Sequence, residues 1–252
     1  MKRGVWAVLA ILAGFFSPAI VRSSELHIVT AERRLLVDSS ATQIIEETST
    51  DVSGKYQKTL MFEEAVRQGG KLIGNVSGSA MMDSTVSDQQ IYARGHGTAF
   101  ASGDPNVLTA VGLSQLMMEF DVDTVTPFLF EGRISLTPRG TDMLNSVGRL
   151  RLTGPAGVVY EAILGGNAKE PDTGEIRFMS DQGITGVFAP GRYRVEGYAE
   201  GHGEGNKTRC VDFELRLTLG RSIPVPEPAL GLLGAAVLAG VCGTRRRAAL
   251  SR

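Results

Sequence analysis

The sequence predicts an all-β protein: an antiparallel β-sandwich, jelly-roll-like, flanked by an N-terminal signal helix and a C-terminal single transmembrane helix. Three observations lead there. Apolar side chains recur at every second position through much of the interior, 31 glycines among 252 residues punctuate it at short spacing, and no long amphipathic helical stretch interrupts it. Such alternation puts one face of a strand in a core and the other in water.

The N-terminal element comes first. Lys2 and Arg3 precede an apolar run over 4–16, and small residues follow, which are the parts of a secretory signal peptide. Val21 and Ser23 suit cleavage between Ser23 and Ser24, with cleavage after Ala19 as the alternative. Residues 1–23 are then the signal peptide and 24–221 the β domain. Within it, strands are expected over 26–37, 60–66, 72–81 and 90–100. The seven residues 60–66 read equally as a helical turn, because periodicity cannot decide over so short a window.

The C-terminal half of the domain alternates more clearly. Met118, Phe120 and Val122 alternate with Glu119, Asp121 and Asp123, and Phe128, Phe130, Ile134 and Leu136 with Glu131, Arg133 and Ser135. Gly154-Pro155-Ala156-Gly157 joins a strand holding Leu150 and Leu152 to one over 158–164 as a hairpin. Pro190-Gly191 turns the chain into a strand of Tyr193, Val195, Gly197 and Ala199. The clearest strand is the last, where Val211, Phe213, Leu215, Leu217 and Leu219 alternate with Asp212, Glu214, Arg216 and Thr218. Cys210 precedes it as a small interior or edge residue. The other cysteine, Cys242, lies in the tail, so no disulfide is expected within the domain.

The tail has its own logic. Residues 222–228 form a linker, and 229–252 an apolar helix with a basic end. The fifteen residues 229–243 carry no charge and would span about 22 Å as a helix, short of the roughly 30 Å hydrocarbon core. Arg245, Arg246 and Arg247 mark the cytoplasmic end, since positive flanks resist translocation. Pro226 and Pro228 remove backbone donors and keep Glu227 accessible above the membrane surface.

Pro226-Glu227-Pro228 after Val225, then the apolar helix and the terminal arginines, in that order, resemble the PEP-CTERM sorting signal of Gram-negative bacterial exported proteins. The resemblance implies an exosortase-type processing enzyme as partner, with the protein held at the inner membrane and then passed to the cell surface or extracellular matrix. The alternative is a tail anchor that stays in place. Arg33-Arg34-Leu35-Leu36-Val37, Glu119-Phe120-Asp121-Val122, Leu152-Thr153-Gly154-Pro155-Ala156-Gly157 and Phe188-Ala189-Pro190-Gly191-Arg192-Tyr193 are similar to landmarks of exported β domains of that family. They depart from it in being richer in Arg and Glu.

Charge and chemistry bound the rest. All 27 acidic residues fall between positions 23 and 244, against 19 of the 26 basic ones, so that stretch carries 19 − 27 = −8, which argues against nucleic acid as a partner. Gly95-His96-Gly97 and Gly201-His202-Gly203 repeat one tripeptide. With His27 they raise a metal site, but no Cys, His or Asp stands beside them at ligand spacing, and solvent-facing imidazoles on glycine-loosened strand ends are expected instead. Glu63-Glu64 and the pair Asp121 and Asp123 are of the type a glycosidase uses, and acidic solvent faces look the same in sequence. Tyr56, Tyr92, Tyr160, Tyr193 and Tyr198 are the rings available for stacking on sugars, and Tyr198 is expected in solvent. The expectation is a non-enzymatic surface or matrix component with no cofactor, no metal and no catalytic residue, and extracellular polysaccharide is the partner implied by the family context. The alternative is a secreted carbohydrate-active hydrolase on the same scaffold.

Overall fold

A computed structural model describes residues 25–220, apart from 41–43, 53, 105–106, 138–144 and 166–173. The expected signal helix, the Ser23/Ser24 cleavage site, the Pro226-Glu227-Pro228 motif and the basic end at Arg245, Arg246 and Arg247 all lie outside the described residues. Among those described, no helix is long and apolar enough to cross a membrane.

The described residues form β1 (His27–Ser39), β2 (Ile44–Ser49), β3 (Gly54–Gln68), β4 (Lys71–Ser87), β5 (Gln90–Ser102), β6 (Ala110–Val122), β7 (Thr126–Thr137), β8 (Val147–Gly154), β9 (Gly157–Gly165), β10 (Glu175–Phe178), β11 (Ile184–Phe188), β12 (Gly191–Gly203) and β13 (Lys207–Leu219), with one 3-10 turn at Ser180–Gln182. Two antiparallel sheets result. Sheet A runs β2-β1-β6-β12-β8-β9, and sheet B runs β10-β7-β13-β5-β4-β3, with β11 also on β7. The residues 60–66, open between strand and helix, lie within β3. The Pro155-Ala156 turn closes β8 onto β9 with Gly154 opposite Gly157, and Gly157 takes φ of +112°, which a side chain would strain.

From β5 onward the chain passes between the layers: β5 in B, β6 in A, β7 in B, β8 and β9 in A, β10 and β11 in B, β12 in A, β13 in B. The last two strands enter the middle of both sheets, β12 between β6 and β8, β13 between β5 and β7. The first four strands widen the sandwich, β1 and β2 beyond β6, β3 and β4 beyond β5.

The core has two unlike ends. Near the start of β12 it is aromatic: Phe188 stacks on Phe128 at 4.0 Å between centroids and lies 4.1 Å from Tyr193, whose hydroxyl donates to the Ala189 carbonyl at 2.9 Å. At the far end of β12 the core is made of small residues. A Cβ on Gly97 would stand 2.2 Å from the Gly112 carbonyl oxygen, and one on Gly112 would stand 2.3 Å from that of Thr98. Here the sheets touch through their backbones. Val76, Ala99, Ala101, Leu108 and Ala110 form a separate buried cluster at this end.

Among the described residues four charged side chains are buried, Arg33, Glu131, Glu196 and Arg209, and Arg33 is the most deeply so. Arg33 shares the inward parity of Ala31, Leu35 and Val37 and is fully buried. Its Nε donates to Ser84 Oγ at 2.8 Å, its Nη1 donates to the Asp51 carbonyl, and its guanidinium lies 5.4 Å from the centre of the Tyr56 ring. Burial lowers its pKa, while Asp51 and Tyr56 oppose that shift. Arg33 thereby fastens the β2–β3 connection into the sandwich.

Candidate functional site

The most organised polar cluster sits on the outer face of sheet B, at the centre of the layer. Pleating turns alternate residues outward, and register sets Asp212 of β13 between His96 of β5 and Ser135 of β7. His96 Nδ1 lies 2.7 Å from Asp212 Oδ1, and Ser135 Oγ donates to Asp212 Oδ2 at 3.2 Å. An ionised carboxylate only accepts, so Nδ1 carries a proton, and Nε2 is in hydrogen-bond contact with the Thr98 hydroxyl beside it. Burial opposes ionisation of Asp212, but the His96 and Ser135 hydrogen bonds and the Arg133 charge outweigh it and hold its carboxyl below the usual range.

A groove of about 330 Å³ adjoins the cluster, lined by Met81, Arg94, Arg133, Ser135, Asp212 and Glu214 among others. Both of its arginines are already anchored, Arg94 to Asp83 at 3.0 Å and Arg133 to Glu175 at 2.9 Å. Cys210, a free thiol, faces the same way between Thr98 and Thr137 on a central strand, so it is not an edge residue.

The histidine triplets acquire a physical reason. Gly95, Gly97, Gly201 and Gly203 all face inward at close approaches: a Cβ on Gly95 would stand 2.2 Å from the Phe213 ring, and one on Gly201 2.6 Å from the Gly97 carbonyl oxygen. The glycines are there for tightness, which corrects the expectation of loosened strand ends. Each histidine between them points outward and is half-buried with a carboxylate partner, Asp212 for His96 and Glu200 for His202. His96 belongs to sheet B and His202 to sheet A. His27 lies near the opposite end of β6 from His202, 3.7 Å from Asp123. The three imidazoles do not converge.

The two carboxylate pairs are placed differently. Glu63 and Glu64 are successive residues of β3 and so face opposite sides. Asp121 takes two bonds from Arg192, at 2.9 and 3.0 Å, and this pairing holds its carboxyl below the usual range, against a smaller effect of burial. On the outer face of sheet A, Glu196 is buried beneath Arg194 at 2.6 Å and Arg149 at 3.4 Å. The five tyrosines form no stacking platform. Tyr193 is buried, Tyr56 and Tyr160 pack against the core, and Tyr92 and Tyr198 lie on opposite sheets. Tyr198, expected in solvent, is half-buried with Arg149 5.6 Å from its ring centre.

The cross-strand partnership of His96, Asp212 and Ser135 escaped the sequence because 77 residues separate Ser135 from Asp212 and 116 separate His96 from it. The available signal was parity: Asp212 is outward in β13, as His96 is in β5. No family model matches the chain, and no curated protein matches it. Among solved structures, a chain of the infectious bursal disease virus Gx strain matches with a TM-score of 0.25 and 12% identity, over 78% of this chain and 58% of that one. A mutant VP2 protein of the same virus, from derived T=1 particles, matches with a TM-score of 0.19 and 11% identity, over 80% and 60%. The chain thus spans less than two thirds of either viral chain, and likenesses at those scores carry no argument about what it does.

Proposed function

We propose that the protein is a non-enzymatic, exported cell-surface or matrix component. In this reading a PEP-CTERM-type tail routes it to the inner membrane, where an exosortase-type enzyme processes it. The observation that carries the reading is the order of Pro226-Glu227-Pro228, an uncharged fifteen-residue segment and Arg245-Arg246-Arg247, opposite a basic and apolar N-terminus. The domain between them supports it through its sheet faces, whose carboxylates at Asp83, Asp121, Glu175, Glu196 and Asp212 are engaged by arginine or histidine in cross-strand pairs. We infer a jelly roll from the strand order: β5-β13-β7 with β10 and β11 in one layer, β6-β12-β8-β9 in the other, with the last pair wrapped into the centre. Intact mass spectrometry of the exported protein, with and without the processing enzyme, tests the route. Loss of the residues after the motif only when the enzyme is present is the expected result, and an unshortened C-terminus in both samples refutes it.

One observation favours the second reading, a secreted carbohydrate-active hydrolase: Asp212 and Glu214 both line the groove on sheet B. Release of nitrophenol from chromogenic glycosides, abolished by Glu214→Gln, would establish that activity. A wild-type protein without turnover removes it.

A further inference from the structure

β3 is the outermost strand of sheet B. Among the described residues it pairs only with β4, so within them its other edge presents unpaired backbone groups along a strand of fifteen residues. Proline is absent from it, and its one irregularity, between Val66 and Arg67, takes its extra residue, Ile73, from β4. The inward row is Tyr56, Lys58, Leu60, Phe62, Glu64 and Val66, whose apolar members are only half-buried. At the midpoint of the strand, on the other face, stands Met61, 70% exposed.

We propose that this edge binds a second copy of the chain, β3 against β3 in antiparallel register centred on Met61. The strand is self-complementary about that residue. Met61 meets Met61, Leu60 meets Phe62, Thr59 meets Glu63 and Tyr56 meets Val66, so inward rows continue inward and one sheet runs through both protomers. Lys58 of each protomer stands opposite Glu64 of its partner, which gives two opposite-charge pairs, and Lys58 also keeps Glu47 of its own protomer at 2.9 Å. A slip of one residue turns every inward side chain outward. A slip of two separates Lys58 from Glu64 and leaves strand ends unpaired. The unfavourable contact is Lys55 opposite Arg67 at the two exposed extremities, where salt screens it.

Disulfide trapping of the full-length chain in detergent, with Cys210 and Cys242 changed to serine, tests this register directly. Met61→Cys places two β-carbons about 4.5–5.5 Å apart across the twofold axis and cross-links to a dimer on mild oxidation. Glu63→Cys, in which the two new thiols are four strand positions apart, stays monomeric. Lys58→Glu weakens the dimer on the order of tenfold by sedimentation, and adding Glu64→Lys restores it. A Met61→Cys chain that stays monomeric, equal cross-linking of the two cysteine variants, or a charge reversal without effect overturns the proposal. None of these readouts depends on the fate of the tail, so failure here leaves the export reading standing.

Discussion

Arg33 and Asp212 show the same physics with opposite signs. Arg33 is charged and wholly inside, held by Ser84, the Asp51 carbonyl and the Tyr56 ring. Buried ions contribute little net stability when an apolar side chain of like volume can replace them. Arg33→Met should therefore change the unfolding free energy in urea by less than about 1 kcal/mol, or raise it, whereas Ser84→Ala, which strands the buried Nε, should cost about 1–3 kcal/mol. Asp212 is ionised more readily folded than unfolded. Its contribution is therefore complete above the unfolded value of about 3.9 and is lost as pH falls through the lower folded value. Asp212→Asn should be less stable than wild type at neutral pH, and the two urea midpoints should converge as the solution is acidified below about pH 4. A gap that stays constant down to strong acid would contradict this. Arg33 was legible only through phase: Arg33-Arg34 reads as a polar pair until the parity of Leu35 and Val37 is applied to it.

Strands and their contacts were unequally legible. The strong alternation of β6, β7, β12 and β13 came through because each buries one face, and their observed spans contain the expected runs. β2, β10 and β11 were missed. Each has six residues or fewer and an edge or sparsely buried position, so period two has too few repeats to show. The close approach of the layers was hidden differently: glycine has no hydropathy, so Gly97 and Gly112 carry no inward signal although they set the distance between the sheets. Gly97→Ala forces a methyl within 2.2 Å of a backbone oxygen, where only the opposite sheet can move. It should cost about 3 kcal/mol or more in urea unfolding. Gly205→Ala, with no atom within 4 Å but φ of +60°, should cost only about 1 kcal/mol.

Across the whole molecule, stability is concentrated in pairings between residues distant in the chain. β13 holds β5 and β7 together, and β12 does the same for β6 and β8. A chain stopped after Gly203 should lose cooperative unfolding and near-ultraviolet circular dichroism together, because two strands of sheet B would be left with a gap where β13 belongs. Retention of a single sharp transition in that truncation would show that the sandwich closes without its central strand. The order of synthesis matters for the same reason. A polypeptide threading N-terminus first through any narrow channel delivers β5, β6, β7 and β8 while the strands that mate with them are still inside. Until β12 emerges four strand edges stand open, two of them stay open until residue 219 follows, and whatever shelters the chain in that interval governs how much of it reaches the folded state.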